Sequence, residues 1–121
     1  MKRLLVVDDE DAIRESLVLG LADYGWDVSE ACNCQSALEF DSAFDVYLID
    51  LSLPDMDGFD LARTLGKRFG HVPIVLLTGY INEKIQQDAM AYNISAVMKK
   101  PFRFEDVDRV LKDLCDSRAS Q

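Results

Sequence analysis

The chain has 121 residues, 49% of them apolar, which is enough for one buried core and too few for two domains. Thirteen basic residues against 22 acidic ones give a net charge of -9. That balance argues against a nucleic-acid surface and against docking on an anionic membrane, because both rest on clustered Lys and Arg. The apolar runs are only a few residues long, so no bilayer span is expected. Met1-Lys2-Arg3 leads straight into Leu4-Leu5-Val6-Val7 without a cleavable signal pattern, and the expected location is the cytoplasm. Cys32 and Cys34 form a C-x-C and Cys115 stands alone, a spacing that suits reduced thiols better than a zinc or thioredoxin-like site.

In chain order, Leu4 to Val7 is a continuous apolar run, the pattern of a strand covered on both faces. Residues 11–24 switch to helical spacing, with Ile13, Leu17, Leu21 and Tyr24 on one stripe, Asp11 as cap and Gly25 as stop. Trp26 to Ala31 is a weaker strand around Val28. Asn33 is placed to cap a short helix with Ala37, Leu38 and Phe40 inward. Val46 to Ile49 is the next strong strand, and Leu51 to Gly58 is a loop dense in turn formers. Phe59 to Phe69 reads as a helix stopped at Gly70, and Ile74 to Leu77 as a strand. Asn82 is placed to cap a helix with Ile85, Ala89 and Tyr92 inward, and Asn93 suits a left-handed residue after it. Ala96 to Met98 is a short strand, and Phe104 to Cys115 a helix with Val107, Val110, Leu111 and Leu114 inward. Residues 1–116 are therefore expected to form the domain, and 117–121 a frayed polar tail or the start of a linker.

Strict strand–helix alternation with continuous apolar strands predicts an α/β fold, a parallel sheet with helices on both faces. All strands of such a sheet end on one edge, and ligands bind there, where strand order reverses. The first strand runs into Asp8-Asp9, the third into Asp50, the fourth into Thr78 and the fifth into Lys99-Lys100-Pro101. Three carboxylates within ~5 Å repel by roughly 3 kcal/mol per pair at an effective dielectric of about 20. Lys100 offers one counter-charge, and a hard cation such as Mg²⁺, which takes carboxylate and phosphate oxygens, offers the rest. Carboxylate, metal, lysine and hydroxyl together form an apparatus for phosphoryl transfer onto Asp50. Neither a Walker-type nor a G-x-G-x-x-G loop occurs.

The motifs V-V-D-D-E at 6–10, L-I-D-L-S-L-P-D-M-D-G at 48–58, I-V-L-L-T-G at 74–79 and K-K-P-F at 99–102 resemble the receiver domain of two-component response regulators over essentially the whole chain. The resemblance implies a flavodoxin-like (βα)5 three-layer sandwich with strand order 2-1-3-4-5, an order for which a family member is a standard example. It implies that Asp50 accepts a phosphoryl group from a histidine kinase or phosphotransfer protein in a Mg²⁺-dependent reaction, the chain catalysing only its own phosphorylation and dephosphorylation. In that pattern Asp9 is the direct Mg²⁺ ligand, Asp8 acts through water, and Ser52 contributes its backbone carbonyl. Thr78 is the hydroxyl that follows the phosphoryl group, and Lys100 is the lysine before a cis Pro101. The family's partner surface, which also serves homodimers, is the fourth helix, fifth strand and fifth helix.

Two positions depart from the pattern: Val97 stands where the family usually has Tyr or Phe, and Asn93-Ile94 where Gly-Ala is common. Tyr80, two residues after Thr78, falls where the family varies phosphoryl lifetime. His71 reads as a surface histidine and Tyr47 as a packing residue. The competing readings are a degenerate receiver that binds partners without phosphorylation, for which Val97 gives some room, and a haloacid-dehalogenase-type hydrolase. The latter uses D-x-D-x-T, and Asp50-Leu51-Ser52 lacks the second acid.

Overall fold

The computed structural model describes residues 2–119. Ten elements alternate along the chain: β1 (Arg3–Val7), α1 (Asp11–Ala22), β2 (Asp27–Ala31), α2 (Cys34–Leu38), β3 (Val46–Asp50), α3 (Gly58–Phe69), β4 (Ile74–Thr78), α4 (Glu83–Ala91), β5 (Ala96–Lys99) and α5 (Phe104–Ala119). The strands form one parallel sheet in the order β2-β1-β3-β4-β5. The expected flavodoxin-like arrangement is therefore the one observed.

The three central strands read as continuous apolar runs because helices cover both faces. Leu5, Val7, Tyr47, Ile49, Ile74 and Leu76 share one core with α2, α3 and α4. Their neighbours Leu4, Val6, Val46, Leu48, Val75 and Leu77 face a second core with Leu17 and Leu21 of α1 and Val107 and Leu111 of α5. The edge strands β2 and β5 are only partly buried, which is why their sequence signal is weaker. Tyr47 is a packing residue, 1% exposed, its hydroxyl accepting the Phe44 N–H at 3.2 Å. His71 is exposed in the turn before β4.

The caps at Asn33 and Asn82 form as expected. The Asn33 side chain accepts the Ser36 N–H and that of Asn82 the Ile85 N–H, each at 2.8 Å. Asn93 takes the left-handed conformation, φ 58°.

Three local expectations are corrected. Asp11 does not cap α1: the cap position is Glu10, without a side-chain bond, and the Asp11 carboxylate pairs with Arg14 instead. Tyr24 is 41% exposed, because α1 ends at Ala22 and the chain turns through Gly25 (φ 96°). Trp26 takes the buried place, 3% exposed. The final helix continues through Ala119 instead of stopping at Cys115, so most of the expected tail is helical. Residues 120 and 121 of that tail lie outside the described residues.

One polar link ties α5 to the start of β2. Asp108, 8% exposed, accepts the Trp26 indole N–H at 2.8 Å and pairs with Lys112 at 3.2 Å. Removing the acceptor leaves a buried indole N–H unpaired, so Asp108→Ala is expected to lower unfolding free energy by about 1–3 kcal/mol. Urea denaturation followed by circular dichroism measures this. A loss within the ~0.5 kcal/mol of ordinary surface substitutions would show that the link contributes little.

Candidate functional site

The parallel register delivers five polar residues to one edge. Val7 lies opposite Ile49, Asp50 opposite Leu77, and Thr78 opposite Lys99. The ladder continues past the strand ends: Asp8 N–H bonds Ala31 O at 3.1 Å, Leu51 N–H bonds Leu77 O at 2.9 Å and Lys100 N–H bonds Thr78 O at 2.8 Å. These bonds fix the backbone from which each functional side chain projects.

Asp8 is 1% exposed, Asp50 5% and Thr78 7%. Asp9 stands at the exposed mouth. One carboxylate oxygen from each of Asp8, Asp9 and Asp50 falls within a 4.8 Å group, a spacing suited to a shared cation. Lys100 Nζ lies 3.4 Å from Asp50 Oδ2, 3.5 Å from Asp8 Oδ2 and 3.9 Å from Glu10 Oε1. Its peptide bond to Pro101 is cis. The other oxygens of the buried acids are tied locally: Asp8 Oδ1 accepts the Glu10 N–H at 2.9 Å, and Asp50 Oδ1 the Ser52 N–H at 3.3 Å.

The electrostatics follow from that geometry. Burial pushes the Asp50 carboxyl above its ordinary value; Lys100 opposes the rise, Asp8 adds to it, and the net direction is upward. For Lys100, burial pulls downward, but Asp50 and Asp8 outweigh it and hold the ammonium above its ordinary value. The lysine is thus firmly charged, yet it does not fully offset the cost of an ionised Asp50.

Thr78 is engaged with its own loop. Its hydroxyl donates to Tyr80 O at 3.1 Å and accepts the Tyr80 N–H at 3.2 Å. The Tyr80 side chain is 68% exposed. Val97 sits in β5 opposite Leu76, half-buried against the core that includes Ala89.

The loop from Leu51 to Asp57 is built with unusual closeness. Gly58 N–H bonds Leu51 O at 2.8 Å, and a Cβ at Gly58 would lie 3.0 Å from Asp50 O. Any larger residue there would force the backbone at Asp50 and Leu51 or the Leu76 side chain to give way slightly. Asp57 caps α3 through the Asp60 N–H at 2.9 Å. Asp55 reaches across to α2, accepting the Cys34 and Gln35 N–H groups at 3.0 Å each. Those backbone bonds hold the Asp55 carboxyl below its ordinary value. Cys34 lies buried beneath the loop, where burial and then Asp55 push its thiol pKa up to about 12.

Sequence reasoning missed two residues of this neighbourhood. Asp55 counted only as a turn former, although two N–H groups of another element depend on it. Arg14 was not singled out, yet its guanidinium bonds the Asp8 backbone carbonyl at 2.8 Å. The available signal was its i, i+3 spacing from Asp11, just after the acidic pair.

Comparison with known proteins supplies the family. The sequence profile of the response regulator receiver domain matches residues 4–112. The chain belongs to the response regulator receiver family. The receiver protein CpdR of Brucella abortus is 32% identical over 109 residues, covering 88% of this chain and 91% of that protein. The two-component response regulator PhoP of Pseudomonas aeruginosa is 34% identical over 114 residues, covering 93% of this chain but 51% of PhoP. The chain thus spans nearly all of the first relative and about half of the second. Among solved structures, a CheY-like receiver domain from Methanospirillum hungatei superposes with a TM-score of 0.93 at 27% identity, over 99% of this chain and 98% of that one. The chemotaxis protein CheY4 of Vibrio cholerae gives 0.88 at 27% identity, over 94% of this chain and 98% of that one.

Receiver domains act in two-component signalling, and phosphorylation on an aspartate is the function of the family. They are not enzymes in the ordinary sense, they interact with histidine kinases and output domains, and they bind Mg²⁺ at an acidic pocket. The Asp8, Asp9 and Asp50 group is an acidic pocket of suitable donor type in this receiver. No helix among the described residues is long and apolar enough to cross a membrane.

Proposed function

We propose that this receiver accepts a phosphoryl group on Asp50 and catalyses its own phosphorylation and dephosphorylation. The observation that carries this reading is Lys100 Nζ, placed 3.4 Å from Asp50 Oδ2 and 3.5 Å from Asp8 Oδ2 on a buried rim. In the transfer, an Asp50 oxygen forms the new bond to phosphorus while the bond to the donor's imidazole nitrogen breaks. The imidazole leaves with that electron pair. Lys100 shifts its ammonium from the carboxylates toward the phosphoryl oxygens and offsets their charge. Thr78 releases Tyr80 O and donates its hydroxyl to a phosphoryl oxygen, a charge-assisted and therefore stronger bond.

Asp8, Asp9, Asp50 and the backbone carbonyl of Ser52 would hold Mg²⁺. Bound there, the cation neutralises phosphoryl oxygens and helps align them for in-line transfer.

The donor is a histidine kinase or phosphotransfer protein. Beside Lys100 runs a groove of about 500 Å³ lined by Ala12, Ile13, Ser16, Pro101 and Phe102. Its apolar lining and its place next to the acids suit a donor helix carrying the phosphohistidine. The output surface is α4, β5 and α5, in a homodimer or against a partner, with the protein working in the cytoplasm and residues 1–116 forming the signalling unit. Val97 is shorter than an aromatic ring and has no hydroxyl, so the switch is carried mainly by the loop from Thr78 to Asn82 and by Tyr80.

Acetyl phosphate with Mg²⁺ is expected to attach one phosphoryl equivalent to the chain, detected by intact mass and mapped to Asp50. Asp50→Asn is expected to abolish it, since the amide is no nucleophile. Normal stoichiometry in that variant would overturn the assignment.

The switch is read from amide chemical shifts with and without beryllofluoride. Large shifts are expected to concentrate in 50–58 and 78–82. Equally large shifts through 97–112 would show that Val97 does not interrupt the coupling.

A further inference from the structure

We propose that Arg14 is a positioning residue that sets the site's affinity for a divalent cation by locking the backbone between Asp8 and Asp9. The inference rests on the reading of those two acids as cation ligands.

Arg14 lies in α1 and its side chain is only 11% exposed. Its three arms point three ways. Nη1 donates to the Asp8 carbonyl at 2.8 Å, Nη2 to Asp11 Oδ1 at 2.7 Å and Nε to Glu30 Oε1 at 3.0 Å. A planar guanidinium can reach three acceptors in fixed directions, which a lysine ammonium at the end of a flexible stem cannot reproduce.

The arms differ in environment. Asp11 is 79% exposed and Glu30 47%, so those two pairs are solvent-screened and contribute little to stability. The arm onto the Asp8 carbonyl meets a residue that is 1% exposed and belongs to the acidic group.

The consequence lies in the peptide plane. The Asp8 carbonyl belongs to the same rigid peptide unit as the Asp9 N–H. On the other side, the Asp8 N–H is fixed by Ala31 O at 3.1 Å. Asp8 is therefore held through both of its backbone groups, and the direction in which Asp9 leaves the strand end is held with it. Asp9 stands exposed at the mouth, where a side chain has few packing contacts to hold it, so its aim depends on this plane. Groups that orient ligands without touching the metal typically change affinity by about 10–100-fold when removed.

The test is Mg²⁺ binding by isothermal titration calorimetry on the wild-type chain and on Arg14→Gln, Arg14→Lys and Glu30→Gln, each melted first in metal-free buffer. Arg14→Gln is expected to weaken the Mg²⁺ dissociation constant by about tenfold or more. Arg14→Lys is expected to recover only part of that, although it keeps the charge. Glu30→Gln leaves the arm onto Asp8 in place and is expected to stay close to wild type. A lower melting temperature with unchanged Mg²⁺ affinity in Arg14→Gln would reduce Arg14 to a structural strut and overturn the proposal. Should Arg14→Gln not fold, wild-type affinity in Arg14→Lys overturns it equally. Absence of Mg²⁺ binding by the wild-type chain defeats the site reading itself, and the positioning role with it, which separates the two failures.

Discussion

Two buried carboxylates share one lysine. Asp8 and Asp50 are almost fully withdrawn from water, and Lys100 Nζ lies about equally far from both. A third acid, Asp9, stands within the same 4.8 Å group. Burying charge costs several kcal/mol per ion unless it is paired and hydrogen-bonded, and here the pairing is incomplete. Burial raises the Asp50 carboxyl above its ordinary value, and Lys100 does not fully cancel that rise. A pocket left short of positive charge suits a divalent cation, and on the proposed reading a phosphoryl group on Asp50 would draw on that cation and on Lys100. The proposed chemistry would draw on that charge deficit, and most of the neighbouring structure restrains the acids that create it.

The restraint is built from backbone. The acids and the lysine stand at strand ends fixed by ladder bonds, and the sheet beneath them is apolar on both faces. Gly58 admits close contact with the Asp50 backbone, and Asp55 ties the intervening loop to α2. Thr78 is different. Among the described residues its hydroxyl bonds only to its own loop neighbour, Tyr80. Asp8 and Asp50 are held by backbone bonds, while the Thr78 hydroxyl keeps a local partner.

Much of this was legible in the sequence. The central strands announce themselves as unbroken apolar runs because both faces are covered, and a parallel sheet then places Asp8, Asp9, Asp50, Thr78 and Lys100 on one edge. Caps at Asn33 and Asn82 and the left-handed Asn93 follow from local chemistry. What escaped depends on contacts between distant segments. Arg14 meets Glu30 only because α1 leans on β2, and Asp55 meets Cys34 only because the loop after β3 folds over α2. Tyr24 fits the helical period of α1 but falls beyond its end, where Trp26 claims the buried place. The last turn of α5 carries Ser117 and Arg118, which read as a tail although the helix continues past them.

The central claim is that ionised Asp50 is held at a cost. The most direct measurement compares thermal stability of wild type and Asp50→Asn in metal-free buffer as a function of pH. A carboxyl whose pKa is raised on folding leaves its stabilising contribution intact below the ordinary carboxylate range of about 4 and loses it as pH rises through the folded value. Asp50→Asn is therefore expected to melt higher than wild type at neutral pH. The gap is expected to close on acidification, and to narrow or reverse when Mg²⁺ is added to both. A variant that melts lower than wild type at neutral pH without metal would mean that Lys100 already satisfies the acids, and the account of a charge-deficient pocket would fail.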